Sequence, residues 1–243
     1  MNQDVELITP EMLEGLPEPV QRYLTYTGVI GKPRVQTVRL TQSGRFRRGE
    51  DQPWVPMTAE QFYTVDPPGF VWKARFKMFG LPLMRARDTY RDGEGHMYAR
   101  LAQVIAIFDV RSQELTQGAM VRYLQEMMWF PVAYLEPYIK WKAVDEASAD
   151  VTFADHGKSV TGRMHFDAEG RVTNFIAERY RELNGEFILN TWSTPIDGYG
   201  KLAGLNLPVR GRAIWKLDTG DLTYAELEIL SVEYNESTDE LNR

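Results

Sequence analysis

The sequence predicts a mainly β fold: a curled antiparallel sheet, unclosed or a half barrel, of about eleven strands, with helical cover over its concave face. The first observation is a period of two. Phe70, Trp72, Ala74, Phe76 and Met78 alternate with Lys73, Arg75 and Lys77, and Val160, Gly162, Met164 and Phe166 alternate with Thr161, Arg163 and His165. Leu207, Val209, Gly211, Ala213, Trp215 and Leu217 alternate with Arg210, Arg212 and Lys216 in the same way. Such alternation turns one face to a core or cavity and the other to water, as antiparallel sheets commonly do. The second observation is the turn chemistry between the runs: Asp66-Pro67-Pro68-Gly69, Asp92-Gly93-Glu94-Gly95, Ala168-Glu169-Gly170 and Thr219-Gly220 all suit tight reversals. The third is the lack of a βαβ rhythm, which sets aside a Rossmann fold or a TIM barrel in favour of a meander.

In chain order, a helix comes first. Thr9 caps it with Pro10 at its first position, Pro17 and Pro19 force a break or restart, and Leu13, Leu16, Val20, Tyr23 and Leu24 make one apolar stripe. Besides the runs already named, strands are expected near 35–48, 54–66, 82–91 and 95–109, before a long helix at 113–129. Ser112 caps that helix and Phe130-Pro131 stops it, with a short second helix over 132–136. Further strands follow near 139–145, 148–155, 171–183, 186–193 and 222–234, and the polar tail 235–243 is expected to fray. A single β-rich domain over 1–234 is expected.

Composition narrows the classes of function. Of the 243 residues 43% are apolar, enough for a sizeable core, and 12% are aromatic, a load that suits both pleated surfaces and pocket linings. A net charge of −6 argues against a general nucleic-acid binder, and the lack of cysteine excludes disulfides and thiolate chemistry. No run reaches the ~18 apolar residues of a membrane span. Segment 1–9, with Asp4 and Glu6, lacks the basic start and apolar middle of a signal peptide. The chain therefore reads as soluble and cytoplasmic, with the cell envelope open to it if an export signal or anchor is removed. Oligomeric state stays open.

Chemical motifs are few. His96, His156 and His165 stand apart, without metal-ligand spacing, so no metal site is expected. There is no G-x-S-x-G elbow, Walker loop or G-x-G-x-x-G, and no cofactor is expected. Arg45, Arg47 and Arg48 between Gly44 and Gly49 read as a solvated strand end. The most informative stretch is 122–131. Arg122 and Glu126 are four apart on one helix face, framed by Leu115, Ala119 and Trp129. They form either an exposed ion pair or a partly buried pair facing the sheet, where Glu126 binds a polar head or acts as acid/base. Met120, Leu124 and Met127 make a second, flexible apolar stripe, either core or a ligand wall. The loop 192–200 is rich in turn formers and is expected to close one end of the sheet, with Trp192 and Tyr199 either lining a mouth there or packing under the loop. Arg179, in the preceding strand, is expected to pair with Glu126 or Asp88.

The succession Arg122-Tyr123-Leu124, Glu126, Trp129-Phe130-Pro131, then Arg179-Tyr180, then Trp192-Ser193, Pro195 and Tyr199 resembles a bacterial family of uncharacterised proteins, a domain of unknown function. The resemblance runs from Leu16 to Tyr234 and implies no activity, substrate or catalytic residue. More distantly, the order of elements is similar to the lipoprotein carriers LolA and LolB, which implies an unclosed barrel whose apolar concave face receives acyl chains. The chain departs from those carriers in showing no signal peptide and no lipidated cysteine.

The leading expectation is a binder of a lipid-like or other apolar small molecule, in a cavity between sheet and helix. Arg122, Glu126, Trp129, Arg179, Trp192 and Tyr199 are its candidate ligand-binding residues. One alternative is a hydrolase or isomerase on an apolar substrate, with Glu126 as acid/base. Another is an interaction protein whose basic strand face, with Arg75, Arg210 and Arg212, meets an acidic partner or anionic membrane.

Overall fold

The computed structural model describes residues 6–78, 81–101 and 105–236, apart from the side chains of Met78, Pro82, Leu83 and Ile107. The opening residues 1–5 and the tail beyond 236 lie outside the described residues, as do the middle of the expected strand 95–109 and the Met78 side chain. The chain starts with a 3-10 turn, Pro10–Leu13, and helix α1, Glu18–Thr27. Six strands follow: β1 (Thr37–Phe46), β2 (Val55–Thr64), β3 (Gly69–Met78), β4 (Leu81–Arg91), β5 (Glu94–Leu101) and β6 (Ile105–Val110). Helix α2 (Gln113–Glu126) leads through 3-10 segments Met127–Trp129 and Pro131–Leu135 into β7 (Ile139–Asp145), β8 (Ser148–Asp155), β9 (Lys158–Phe166) and β10 (Val172–Leu183). The chain continues through β11 (Glu186–Ser193), β12 (Ile196–Leu202), β13 (Leu205–Leu217) and β14 (Gly220–Tyr234).

Among the described residues all fourteen strands belong to one antiparallel sheet, ordered β6-β5-β4-β3-β2-β1-β14-β13-β11-β10-β9-β8-β7, with β12 paired to β13 alone. β6 and β7 are its two ends, so the curl does not close strand to strand. The class is the expected one, the strand number exceeds the expected eleven or so, and two of the extra strands have a clear origin. The run 95–109 is two strands, β5 and β6, and the turn-rich 192–200 stretch contains β12.

Two contacts close the curl without strand pairing. The hairpin turns Asp92-Gly93 and His156-Gly157, all at positive φ, meet where Lys158 Nζ donates to Gly93 O at 2.8 Å. Beside them Tyr90 OH donates to Asp155 Oδ2 at 2.6 Å. Helix α2 makes the second closure. Ser112 caps it by accepting from Leu115 N at 3.1 Å, as expected. Its first half then spans the two arms of the sheet. Gly95 N of β5 donates to Thr116 Oγ1 at 3.0 Å, and Gln117 Nε2 donates to Glu178 O of β10 at 2.7 Å.

The α2 stripe of Met120, Leu124 and Met127 is core, buried with Tyr63, Tyr90, Tyr123, Phe130 and Phe153. Arginine and acid side chains interleave on the outer face: Arg39 pairs with Glu60 and Glu233, Arg45 with Glu226, and Arg212 with Asp197. Of the expected basic face of Arg75, Arg210 and Arg212, the last is thus paired with an acid. No helix among the described residues is long and apolar enough to cross a membrane.

Candidate functional site

Arg122 points into the curl, not into water. Its Nε donates to Glu126 Oε1 at 2.7 Å, Nη1 to Asp88 Oδ2 at 2.9 Å and Nη2 to Gln61 Oε1 at 3.1 Å. Gln61 Nε2 and Tyr63 OH then donate to Glu126 Oε2, at 2.7 and 3.1 Å. Glu126 and Asp88 are buried, and the guanidinium lies over the rings of Trp72 (4.8 Å) and Phe70 (5.2 Å). Burial pushes the Glu126 carboxyl above its ordinary value, although Arg122, Gln61 and Tyr63 pull the other way. Both Glu126 oxygens accept hydrogen bonds, which makes Glu126 the keystone of a polar network. Gln61 and Asp88 had a visible signal: each is the polar member of an apolar alternation, Met57, Ala59, Gln61, Tyr63 in β2 and Met84, Ala86, Asp88, Tyr90 in β4.

The register explains what lies beyond this network. Gln61, Trp72 and Asp88 are cross-strand neighbours on β2, β3 and β4. One pair of residues further along, the inward positions are Ala59, Ala74, Ala86 and Ala99, a floor of alanines on four adjacent strands. The next inward layer is large again, with Met57, Phe76 and Met84. Rings continue the wall from there: Trp72 meets Phe76 at 6.3 Å, Phe76 meets Phe46 at 6.1 Å, and Phe46 meets Tyr224 at 5.5 Å. Tyr224 stacks on Trp215 at 5.5 Å and accepts from Trp192 Nε1 at 3.0 Å. The arc ends at Arg179, whose guanidinium lies 4.8 Å from the Trp192 ring and 5.7 Å from that of Trp215. Arg179 Nε donates to Gly118 O at 3.0 Å, so α2, one turn from Gly118 to Arg122, closes the arc into a ring.

Arg122, Glu126, Arg179 and Trp192 thus fall on one continuous run of side-chain contacts. The other two candidates are drawn elsewhere. Trp129 Nε1 donates to Pro208 O at 3.1 Å, and Tyr199 packs edge-on against Tyr26 while donating to Val172 O at 3.0 Å. Arg179 does not pair with Glu126 or Asp88, because its strand brings it to the Gly118 turn of α2 instead. Trp72, Phe76, Met57, Phe46, Tyr224, Met84, Ala59 and Ala86 are members of the ring that sequence reasoning missed as site residues. Their alternation was legible, but the meeting of strands far apart in sequence was not.

Solvent reaches this part of the inner face. Under α2, Tyr63, Tyr90, Phe130 and Phe153 are 0% exposed, whereas Trp72 and Ala59 keep 8% and Ala99 keeps 9%. Phe46, Tyr224, Met84 and Ala86 are half-buried on the same face. Trp72 Nε1 and Asp88 Oδ1, on neighbouring strands, are buried without a hydrogen-bond partner among the described residues. Two clefts of about 420 and 720 Å³ open on the outer face, lined chiefly by polar and charged side chains including His96, Glu94 and Arg111 in one and Asp197, Arg212 and Glu226 in the other. Among the described residues no group of three or more His, Asp or Glu is placed to hold a metal ion.

Residues 6–227 match a family of unknown function, DUF6544. No curated protein matches the sequence. A solved DUF1329 family protein from Desulfovibrio piger shares the fold at TM-score 0.50 and 9% identity, over 89% of this chain and 92% of that one. A LolA superfamily protein from Nitrosomonas europaea is similar at TM-score 0.49 and 9% identity, over 96% of this chain and 97% of that one.

Proposed function

The chain belongs to DUF6544, a family of unknown function, and we propose that it binds a lipid-like, apolar small molecule within the ring of side chains between Arg122 and Arg179. The observation that carries this reading is a solvent-reached apolar wall on the inside of the sheet. Trp72, Phe76, Trp192 and Trp215 keep 4–8% exposure around an alanine floor, while the core beneath α2 is sealed. A concave apolar wall with few polar groups is the usual form of a small-molecule site. On this reading the ligand lies beside α2 and not under its methionine stripe, which is filled.

On this reading the alanines at 59, 74, 86 and 99, cross-strand neighbours on four strands, leave room for the ligand, and a longer side chain at any of them takes that room. The protein is expected to quench its Trp72, Trp192 and Trp215 fluorescence, and to brighten an anilinonaphthalene dye, as a straight-chain amphiphile is added or displaced. Ala86→Phe fills the floor from a half-buried position, and is expected to weaken amphiphile binding about tenfold, the effect of losing ~1.4 kcal/mol of contact. Unchanged affinity in that variant, with the melting temperature also unchanged, counts against the site; a wild-type protein that binds no amphiphile and carries none on native mass spectrometry removes the function.

A further inference from the structure

The two arginines at the ends of the ring differ in what they leave unsatisfied. Arg122 faces two carboxylates and a glutamine oxygen, all within 3.1 Å. Arg179 faces none. It uses Nε on Gly118 O at 3.0 Å and Nη1 on Tyr224 OH at 3.4 Å, and its other contacts are the faces of Trp192 and Trp215. A guanidinium carries five N–H donors in a planar fork, so Arg179 retains unused ones. The acids nearest to it along β10 sit at alternate positions on the opposite face and are engaged there: Glu178 accepts from Thr191 Oγ1 at 2.6 Å, and Glu182 from Gly185 N at 2.7 Å. Alternation puts Arg181 on the same inner face as Arg179, and the register places Asn190 directly across from Arg179. Arg181 Nε and Asn190 Oδ1 are both buried with no hydrogen-bond partner among the described residues. Arg179 therefore stands against two indoles with Arg181 beside it, and neither pairs with a carboxylate among the described residues. Ring faces offset part of this cost, since a cation over an indole is stabilised by its quadrupole, but they do not use the in-plane N–H donors.

We propose that Arg179, with Arg181 and Asn190 beside it, is the anchor for an anionic head group, so that the ligand is an acyl chain ending in a carboxylate or phosphate monoester. The chain lies along the alanine floor and the aromatic arc, and the head takes the open N–H fork of Arg179 at the β10 side of the ring. The Asn190 carboxamide, free to present either its oxygen or its NH₂, adds a donor to the head or an acceptor to its protonated form. Arg122 is excluded from this role by its own carboxylates. This assignment rests on the apolar-ligand reading above and adds the charge of the ligand to it.

The test compares dodecanoate, dodecyl phosphate and dodecanol, by calorimetry or dye displacement, on the full chain. Wild type is expected to prefer at least one of the two anions over the alcohol by about tenfold or more, and raising the salt is expected to narrow the gap. Arg179→Met, which keeps the stem against Trp192 and removes the fork, is expected to bring that ratio close to one, with Arg179→Lys in between. Which anion gains more identifies the head. Equal affinity of wild type for the anions and the alcohol overturns the anchor while leaving the apolar site standing; no binding of any of the three overturns both. Should Arg179→Met fail to fold, Arg181→Gln with Asn190→Leu carries the same ratio test, and a ratio unmoved in that pair overturns their part in the anchor.

Discussion

Arg122→Met is expected to cost the fold about 3–5 kcal/mol at neutral pH, the usual loss when one partner of a buried charge cluster is removed. The size follows from what stays behind. Asp88 and Glu126 are both buried and lie on opposite sides of the guanidinium, at 2.9 and 2.7 Å, so its removal leaves two carboxylates in a dry, aromatic surrounding. The loss carries a pH signature whose sign is fixed by Glu126. Its folded-state pKa is raised by burial above the unfolded value near 4.3, so the folded protein holds the proton more tightly and stability falls as pH rises through that window. Without Arg122, the main group holding that pKa down is gone and the window extends upward. The variant is thus expected to regain much of its deficit below about pH 4, where both folded and unfolded chains carry Glu126 protonated. Urea denaturation followed by tryptophan fluorescence at neutral and acid pH measures this. A deficit of the same size at both would mean that the arginine acts through packing on Trp72 and Phe70 rather than through charge.

That network also marks how far the sequence could be read. The Arg122–Glu126 pair was legible from helical spacing alone, and so was the choice between solvent and sheet that the structure resolves toward the sheet. Its partners were half-legible: Gln61 and Asp88 break apolar alternations, which flags buried polar groups but says nothing about which cation meets them. The strand boundaries at 139–145, 148–155 and 186–193 coincide with β7, β8 and β11, because clear alternation ends there in turn formers. β12 went unread for the opposite reason. Gly198 and Gly200 offer no side chain to one face, and the segment is a strand only through its long-range pairing with β13. The split of 95–109 was hidden by an apolar run without glycine or proline between β5 and β6. Arg179 shows the limit most clearly. A cation in mid-strand predicts a partner, but whether that partner is a carboxylate, two indoles or a ligand is decided by β11, β13 and α2 together.

Gly95→Val is expected to destabilise the protein by about 3 kcal/mol, at the upper end of what overpacking costs, and to do so by prising α2 from one arm of the sheet. A Cβ at Gly95 stands 2.8 Å from Thr116 Cα and 2.9 Å from Leu115 O, atoms of the helix backbone that cannot swing aside as a side chain can. The hydrogen bond from Gly95 N to Thr116 Oγ1, which ties β5 to α2, lies at the same contact. Gly118, one half-turn further on α2, supplies the control. A Cβ there meets Arg179 Nε at 3.5 Å and Tyr180 O at 3.8 Å, ordinary contact distances, and the position is interior to the helix. Gly118→Ala is therefore expected to be neutral or to gain up to about 1 kcal/mol from helix propensity. Two glycine substitutions on facing sides of one closure thus have opposite expected signs, read by thermal melts of the pair. Their comparison separates the two jobs of α2. If Gly95→Val lowers the melting temperature and also abolishes amphiphile binding, while Gly118→Ala keeps both, the helix holds the ring shut from the β5 side. A Gly95→Val protein as stable as wild type would mean that α2 is not seated against β5 at all, and the chord that closes the ring between Arg179 and Arg122 would have to be redrawn.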